Sequence, residues 1–408
     1  MSIELHRTFW PVGHGAFYTE QFTNHISGQC FTAVYDCGSG NHRVNDSSSK
    51  FMANMVDEFL THLPNNDIDY LFISHFHCDH INGIPALLKK ANVKHMIIPQ
   101  LSLSMLAEAY VYNFITMNVL NDENDDVQQF IVNIANGEYR NRIAQVSNNY
   151  ENNVEQISHK NLSNVSIIGN GIPIIFSFGT MLDWVYIPVN TGYDEGKAYE
   201  LLLKISGASN GTFTLVDGEK VDWTALQRAL IEIGVEELKE IYTEVFSSEH
   251  NAYSMPVFSG PMTTMLPTDI CDYLYLDSYV RSRHMPYYRY GIDMFIDVRI
   301  HYPLLHNNKE LSCLYMGDFE TEKRLKDLKD ILGKYFYRAG LQQVPHHFSK
   351  NNHHPELYDS RMMAFGNITN KKDRSYSRKV ANDILFRGCM PMIITKRNFM
   401  VIHYSIYL

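Results

Sequence analysis

Residues 75–80 read His75-Phe76-His77-Cys78-Asp79-His80, a spacing of nitrogen and oxygen donors that suits metal ions. On an extended loop, ligands at i and i+2 can grip one ion together. Asp79 and His80 then project to the other side, where they can hold a second. Zinc and manganese both accept imidazole and carboxylate donors. Two ions about 3.5–4 Å apart clamp the attacking and leaving oxygens of a displacement and generate a hydroxide near neutral pH. A lone histidine at a strand end is usually a cap, but H-x-H-x-D-H in a strand–loop–helix setting favours the metal site.

The elements around this run are those that would position it. Residues 68–74, IDYLFIS, form a continuous apolar run typical of a strand buried on both faces. INGIPALLKK then begins a helix and VKHMIIP (93–99) reads as the next strand, so the alternation argues for an α/β layered fold. Upstream, CFTAVYD (30–36) is a β-prone run that stops at Gly38-Ser39-Gly40, and 51–60 has helical spacing. Between about 100 and 250 the character changes. Asparagine and aspartate are dense at 121–126 and 148–153, Asp217-Gly218 suits a hairpin turn, and the stretch from Val221 to Phe246 reads as one amphipathic helix. This region is expected to be a mostly helical insertion or cap within a single domain spanning 1–408, with a small second domain as the alternative. From 250 onward strands return: AYSMPVF, DMFIDVRIHY and LSCLYMGD, the last ending at Asp318. GLQQVPHHFSK places another strand before His346-His347, and a helix and two strands close the chain.

Composition sets limits. The chain has 408 residues, 45% hydrophobic and 20% charged, as expected of a folded protein with a large core. Its net charge of −10 disfavours an extended polyanion-binding surface, though not a local basic groove. The six cysteines show no C-x-x-C pairing, and several lie in apolar runs, so reduced buried thiols are expected. With no basic, apolar leader at MSIELHRTFW and no run long enough to span a bilayer, the expected address is the cytoplasm, with no membrane association.

H-x-H-x-D-H resembles the signature of the metallo-β-lactamase superfamily. The resemblance implies an α/β fold, an αββα sandwich with two divalent ions, zinc or manganese, at the edge between two sheets. Asp36-Cys37-Gly38 resembles the D-x-G that ends an early strand, where the aspartate supports the metal loop. Leu314-Tyr315-Met316-Gly317-Asp318 resembles the motif whose aspartate bridges both ions, and Val344-Pro345-His346-His347-Phe348-Ser349-Lys350 the motif that supplies a late ligand. The branch that matches is the hydrolase domain of the DNA-uptake competence protein ComEC and its stand-alone relatives. Trp10-Pro11-Val12-Gly13-His14-Gly15 resembles its opening D-V-G-Q-G-D, and Asp79-His80-Ile81-Asn82-Gly83-Ile84 its D-H-I-G-G-L. Asn251-Ala252-Tyr253-Ser254 resembles its N-x-x-S, and the histidine pair its V-P-H-H-G-S-K.

There are departures. His14 and Ala16 stand where the branch has Gln and Asp, and Phe348 stands where it has glycine, which changes how tightly that loop turns. Its late glycine-histidine-proline segment appears as Lys372-Asp373-Arg374-Ser375. No histidine marks the family's third motif, and DWVYIPVN (183–190), in the expected place, offers none. This implies a weakly held, exchangeable first ion.

The implied ligands are His75, His77, Asp79, His80, Asp318 and His346. Ungapped matching makes His346 the ligand and leaves His347 as a supporting group or proton donor, whereas RNase Z-like patterns reverse the two. His14, flanked by glycines at a strand end, is a candidate for a place beside the ions; His95 and the pair His353-His354 read as a core residue and an exposed loop.

The leading expectation is a phosphodiesterase or nuclease in which a metal-bound hydroxide attacks phosphorus. Asp79 orients the hydroxide, and His347 or His14 protonates the leaving oxygen. The acidic chain suits a short or single-stranded nucleic acid, or a small phosphodiester. Lys371, Lys372 and Arg374, after the histidine pair, are the substrate-binding candidates, and the arginine–tyrosine stretch 279–290 is of similar composition. Hydrolysis of a small ester, lactone or thioester is the second expectation. A non-catalytic scaffold or sensor, meeting a protein partner through the insertion, is the third.

Overall fold

A computed structural model describes residues 2–40, 48–117, 126–149, 155–179, 182–192, 195–215, 220–246, 254–262, 270–277, 311–350, 352–359, 361–368, 374–396 and 399–407. The strands are β1 (Ser2–Phe9), β2 (Phe17–Asn24), β3 (Cys30–Cys37), β4 (Asp67–Phe72), β5 (Asn92–Pro99), β6 (Ile143–Val146), β7 (Ile157–Ser158), β8 (Ile167–Ile168), β9 (Ile174–Ser177), β10 (Asp183–Pro188), β11 (Val257–Pro261), β12 (Ile270–Asp277), β13 (Cys313–Tyr315), β14 (Leu341–Gln343), β15 (Met363–Asn367), β16 (Met390–Ile394) and β17 (Phe399–Tyr407). The helices are α1 (Ser48–Thr61), α2 (Cys78–Ile81), α3 (Ile84–Lys90), α4 (Leu103–Met117), α5 (Asp126–Ala135), α6 (Glu195–Ala208), α7 (Trp223–Ile233), α8 (Val235–Phe246), α9 (Thr321–Leu332), the single turn α10 (Pro345–Phe348) and α11 (Arg374–Phe386).

Two sheets form, one ordered β12-β17-β1-β2-β3-β4-β5-β6-β8 and the other β16-β15-β14-β13-β11-β10-β9-β7. Side-chain alternation stacks them. Along β10, Trp184 and Tyr186 face the first sheet, while Val185 and Ile187 face the opposite way onto α9 and α11. Along β4, Tyr70 and Phe72 enter the same inter-sheet core, and Leu71 faces the helices on the other side. Every strand with two covered faces must be apolar on both, which is why these runs are continuous in the sequence. The result is an αββα sandwich with three apolar cores: α1 and α3 to α8 on the first sheet, aromatic packing between the sheets, and α9 and α11 on the second.

A buried ionic network ties the sheets together. Glu20 on β2 accepts from Arg7 Nε (2.7 Å), Tyr315 Oη (2.9 Å), Tyr186 Oη (2.8 Å) and Ser259 Oγ (2.7 Å), so strands of both sheets converge on one carboxylate.

Residues 100–250 contribute to more than a helical layer. They hold α4 to α8, but β6 and β8 extend the first sheet and β7, β9 and β10 belong to the second. The stretch expected to form one helix from Val221 is broken into α7 and α8, because Gly234 takes a left-handed conformation (φ 85°) that ends α7. The hairpin turn at Asp217-Gly218 and the strand expected from 293 lie outside the described residues.

Candidate metal centre

The chemistry-bearing motifs leave the carboxyl ends of parallel strands, where open α/β sheets place their sites. In the first sheet β3 and β4 pair in parallel; Asp36 ends one and residues 75–80 follow the other. In the second sheet β13 and β14 pair in parallel; Asp318 follows one and His346-His347 the other. Sandwiching the sheets brings the two pairs of strand ends together.

The backbone is locked before the side chains are aimed. Ala16 N donates to Asp79 O, Gly38 N to Ala16 O, and Gly40 N to His14 O, which joins the β1–β2 turn to the metal loop. Asp318 N donates to Ser254 Oγ (2.9 Å), and Gly317 N to Gln343 Oε1 (3.0 Å). Gly317 has φ 54°, and a Cβ there would come within 2.7 Å of Ser74 Oγ, so only glycine lets this strand end approach the metal loop.

Donor atoms of Asp79, His80, Asp318 and His347 all lie within 4.8 Å of one another. His80 Nε2 is 3.2 Å from Asp318 Oδ1 and 3.7 Å from Asp79 Oδ2; His347 Nε2 is 3.1 Å from Asp79 Oδ2 and 3.5 Å from Asp318 Oδ1. The other oxygen of Asp318 faces a different pair, with His75 Nε2 at 3.9 Å and His346 Nε2 at 3.7 Å. The rings of His75 and His77 lie 4.6 Å apart, and those of His75 and His80 4.1 Å. Asp318 therefore stands between two sets of imidazoles.

The two adjacent histidines differ in depth. The side chain of His347 is 4% exposed and that of His346 32%. His346, His347 and Phe348 are all left-handed (φ 48°, 52° and 63°), so the turn after β14 is not a true helix. Phe348 pins it by burying its ring against Gly366. His14, 37% exposed, sits at the rim, 3.6 Å from Asp79 Oδ2 and with its ring 4.0 Å from that of His347.

The charges are strongly coupled. Burial alone would push Asp79 and Asp318 up, but His80 and His347 around the first, and His346, His80 and His347 around the second, hold both carboxyls well below their usual range. Burial opposes the charge on His80, yet Asp318, Asp79 and Asp36 raise it well above an ordinary imidazole. His75 is driven well down by burial and by His80 and His77, and His14 falls to about 3 through burial and His347. Two buried carboxylates brought this close together need cationic charge, and divalent ions suit the carboxylate and imidazole donors gathered here.

Asp36 orders the candidate donors from behind. It accepts from Ser74 N (2.7 Å) and Ser74 Oγ (2.7 Å) and lies 2.8 Å from His80 Nδ1, which leaves His80 Nε2 directed at the cluster.

Residues 28–131 match the family model of the metallo-beta-lactamase superfamily. The match spans β3 to α5 and so includes Asp36 and the whole metal loop. None of the curated proteins compared with the chain matches it. The match over residues 28–131, the αββα arrangement and a cluster of side chains that could hold a metal ion together support a metal-dependent hydrolase in general. The superfamily match stops well before Asp318 and His347, which join the site through the fold alone.

Lys371 and Lys372 lie outside the described residues, as do 279–290 and the side chain of Arg374, whose backbone opens α11. His353, expected on an exposed loop, has a side chain only 6% exposed, packed on Tyr358 and 3.1 Å from Asp383 Oδ2; the turn Pro355–Tyr358 folds back over it. His95 is partly buried and meets Tyr70 and His159 edge-on, well suited to a packing role. Ser74, Gln343 and Asn113 carry no motif and were not singled out by sequence, since each acts through partners distant in the chain. Among the described residues no helix is long and apolar enough to cross a membrane, and Cys30, Cys37, Cys78, Cys313 and Cys389 are outside any disulfide.

Proposed function

We propose that the protein is a two-metal phosphodiesterase, acting on a short or single-stranded nucleic acid or a small phosphodiester. The observation that carries the reading is the position of Asp318, whose two oxygens face different imidazole sets. In this reading Asp79, His80, His347 and Asp318 would hold one ion, and His75 and His77, with Asp318 between the two sets, would hold the other; His346 lies on the His75 side of Asp318. His347 thus takes the ligand role that sequence matching alone leaned to giving His346.

Two divalent ions there, zinc or manganese, supply Lewis-acid activation of water and neutralise charge at phosphorus. The chain's own groups do the rest. Asp79 would help to hold an ion and to orient the attacking water. His14, at the rim and neutral near pH 7, is placed to hydrogen-bond the leaving oxygen. The covered helical side keeps bulk water from the ligands, and the half-exposed His14 and His346 mark the open side. Lys371, Lys372 and Arg374 are proposed to meet the substrate backbone, and the acidic chain as a whole favours short or single strands over long duplex.

The test uses end-labelled single-stranded and duplex DNA, RNA and a chromogenic phosphodiester, with manganese, zinc or chelator, beside an Asp79→Ala/His80→Ala control. Metal-dependent cleavage that is lost in the control is expected. A metal-loaded protein that cleaves none of these, but hydrolyses a small ester or lactone, overturns the phosphodiesterase reading.

A further inference from the structure

The metal loop is gripped by a single helix that carries none of the ligand motifs. On α4, Asn113 is fully buried, and its amide spans the backbone on both sides of His77. Nδ2 donates to Phe76 O (2.8 Å), and Oδ1 accepts from Cys78 N (2.7 Å). The two bonds together fix the orientation of the amide and pin the peptide groups flanking the histidine. One residue earlier, the Tyr112 ring stacks on the imidazole of His77 at 3.8 Å with only 20° between the planes. One turn later, Thr116 Oγ1 lies 3.7 Å from Cys78 Sγ.

The helix is itself buttressed. Tyr242 on α8 lies 5.6 Å from Tyr112, and its hydroxyl donates to the buried Glu108 on α4. Spacing explains the pattern. Residues 112, 113 and 116 lie on neighbouring faces of one helix, so a single helix end can stack on a ring, bridge two peptides and touch the following side chain.

We infer that Tyr112 and Asn113 are positioning residues of the metal centre, which set the ring plane and depth of His77 and so make α4 part of the site. The inference rests on the two-metal reading above, in which His77 is a ligand. Two other imidazoles of this site meet side chains at Nδ1: His80 meets Asp36, and His75 meets Ser74 Oγ at 2.9 Å. At His77 the Tyr112 stack acts on the ring face and the Asn113 amide on the backbone to either side. A ligand whose plane is held this way loses affinity when the support is removed, by about 10- to 100-fold for supporting partners in general.

The experiment measures zinc affinity by chelator competition, and the visible spectrum of the cobalt-substituted protein, for wild type, Tyr112→Phe, Tyr112→Leu and Asn113→Ala. Leu230→Ala, a buried change in α7 of the same helical layer, controls for lost stability. Expected is at least about tenfold weaker binding and altered cobalt bands in Tyr112→Leu and Asn113→Ala, with Tyr112→Phe and Leu230→Ala close to wild type. Unchanged affinity and spectra in Tyr112→Leu and Asn113→Ala overturn the positioning role and leave the two-metal reading standing. Equal losses in Leu230→Ala also overturn it, since stability alone then explains the effect. A wild-type protein that binds no metal overturns both readings.

Discussion

The carboxylate of Asp36 lies 2.8 Å from Nδ1 of His80, with both side chains wholly buried. Asp36 also has φ 53°, left-handed for a residue with a side chain, a conformation that Asn tolerates better than most side chains do. Asp36→Asn therefore keeps the backbone while removing the carboxylate charge and turning the oxygen that faces His80 Nδ1 into an amide donor. Metal affinity is expected to fall about 10- to 100-fold with little change in the far-ultraviolet circular dichroism. Chelator competition checks this, and an unchanged affinity would show that His80 needs no such partner.

His14 touches the site without being enclosed by it. His14→Ala is expected to lower kcat on a phosphodiester by about 100-fold and to leave bound metal per chain at the wild-type value. His80→Ala is expected to lose both. Steady-state kinetics beside elemental analysis separates the two, and loss of metal from His14→Ala would make it a ligand.

Removing metal leaves Asp79 and Asp318 buried together with less compensating charge. Saturation with an ion at 1,000 times its Kd stabilises a fold by about 4 kcal/mol. Chelation is expected to lower the midpoint of thermal unfolding by several degrees, and zinc or manganese to restore it. Calorimetry with and without chelator gives the answer; identical midpoints would argue that no ion is bound.

Glu20→Gln strands the Arg7 guanidinium between the sheets without its counter-charge. The expected loss is about 3–5 kcal/mol, read by urea denaturation. Because Glu20 supplies no donor to the metal cluster, zinc bound per folded chain should not change.

Phe348 is buried, yet its backbone is left-handed. Both Phe348→Ala and Phe348→Gly lose the ring packing, about 3–5 kcal/mol for a buried Phe. Glycine alone escapes the left-handed cost, so Phe348→Gly is expected to be about 1 kcal/mol more stable than Phe348→Ala. Denaturant midpoints of the two variants decide it; the usual order, with alanine ahead, would mean that the turn relaxes once the ring is gone.

What could be read from sequence was what depends on neighbours in the chain. The i, i+2 spacing of His75 and His77, and the strand–loop–helix around Asp79 and His80, are local features. So is the two-sided apolar run of β4, because burial of both faces is written residue by residue. A resemblance in Asp318 and the histidine pair named further donors, but only the tertiary structure brought them within reach. It did so by pairing β3 with β4 and β13 with β14 and stacking the sheets. The fold also decided matters that no spacing encodes. His347 lies deeper than His346 because three successive left-handed residues aim them differently. The expected long helix from Val221 breaks at Gly234, since amphipathic periodicity runs through a glycine without registering its positive φ. Asn113 grips a loop 35 and 37 positions away, and Glu20 gathers partners from both sheets. Such contacts depend on the packing of distant elements, and a side chain's partner across a sandwich has no period in the chain.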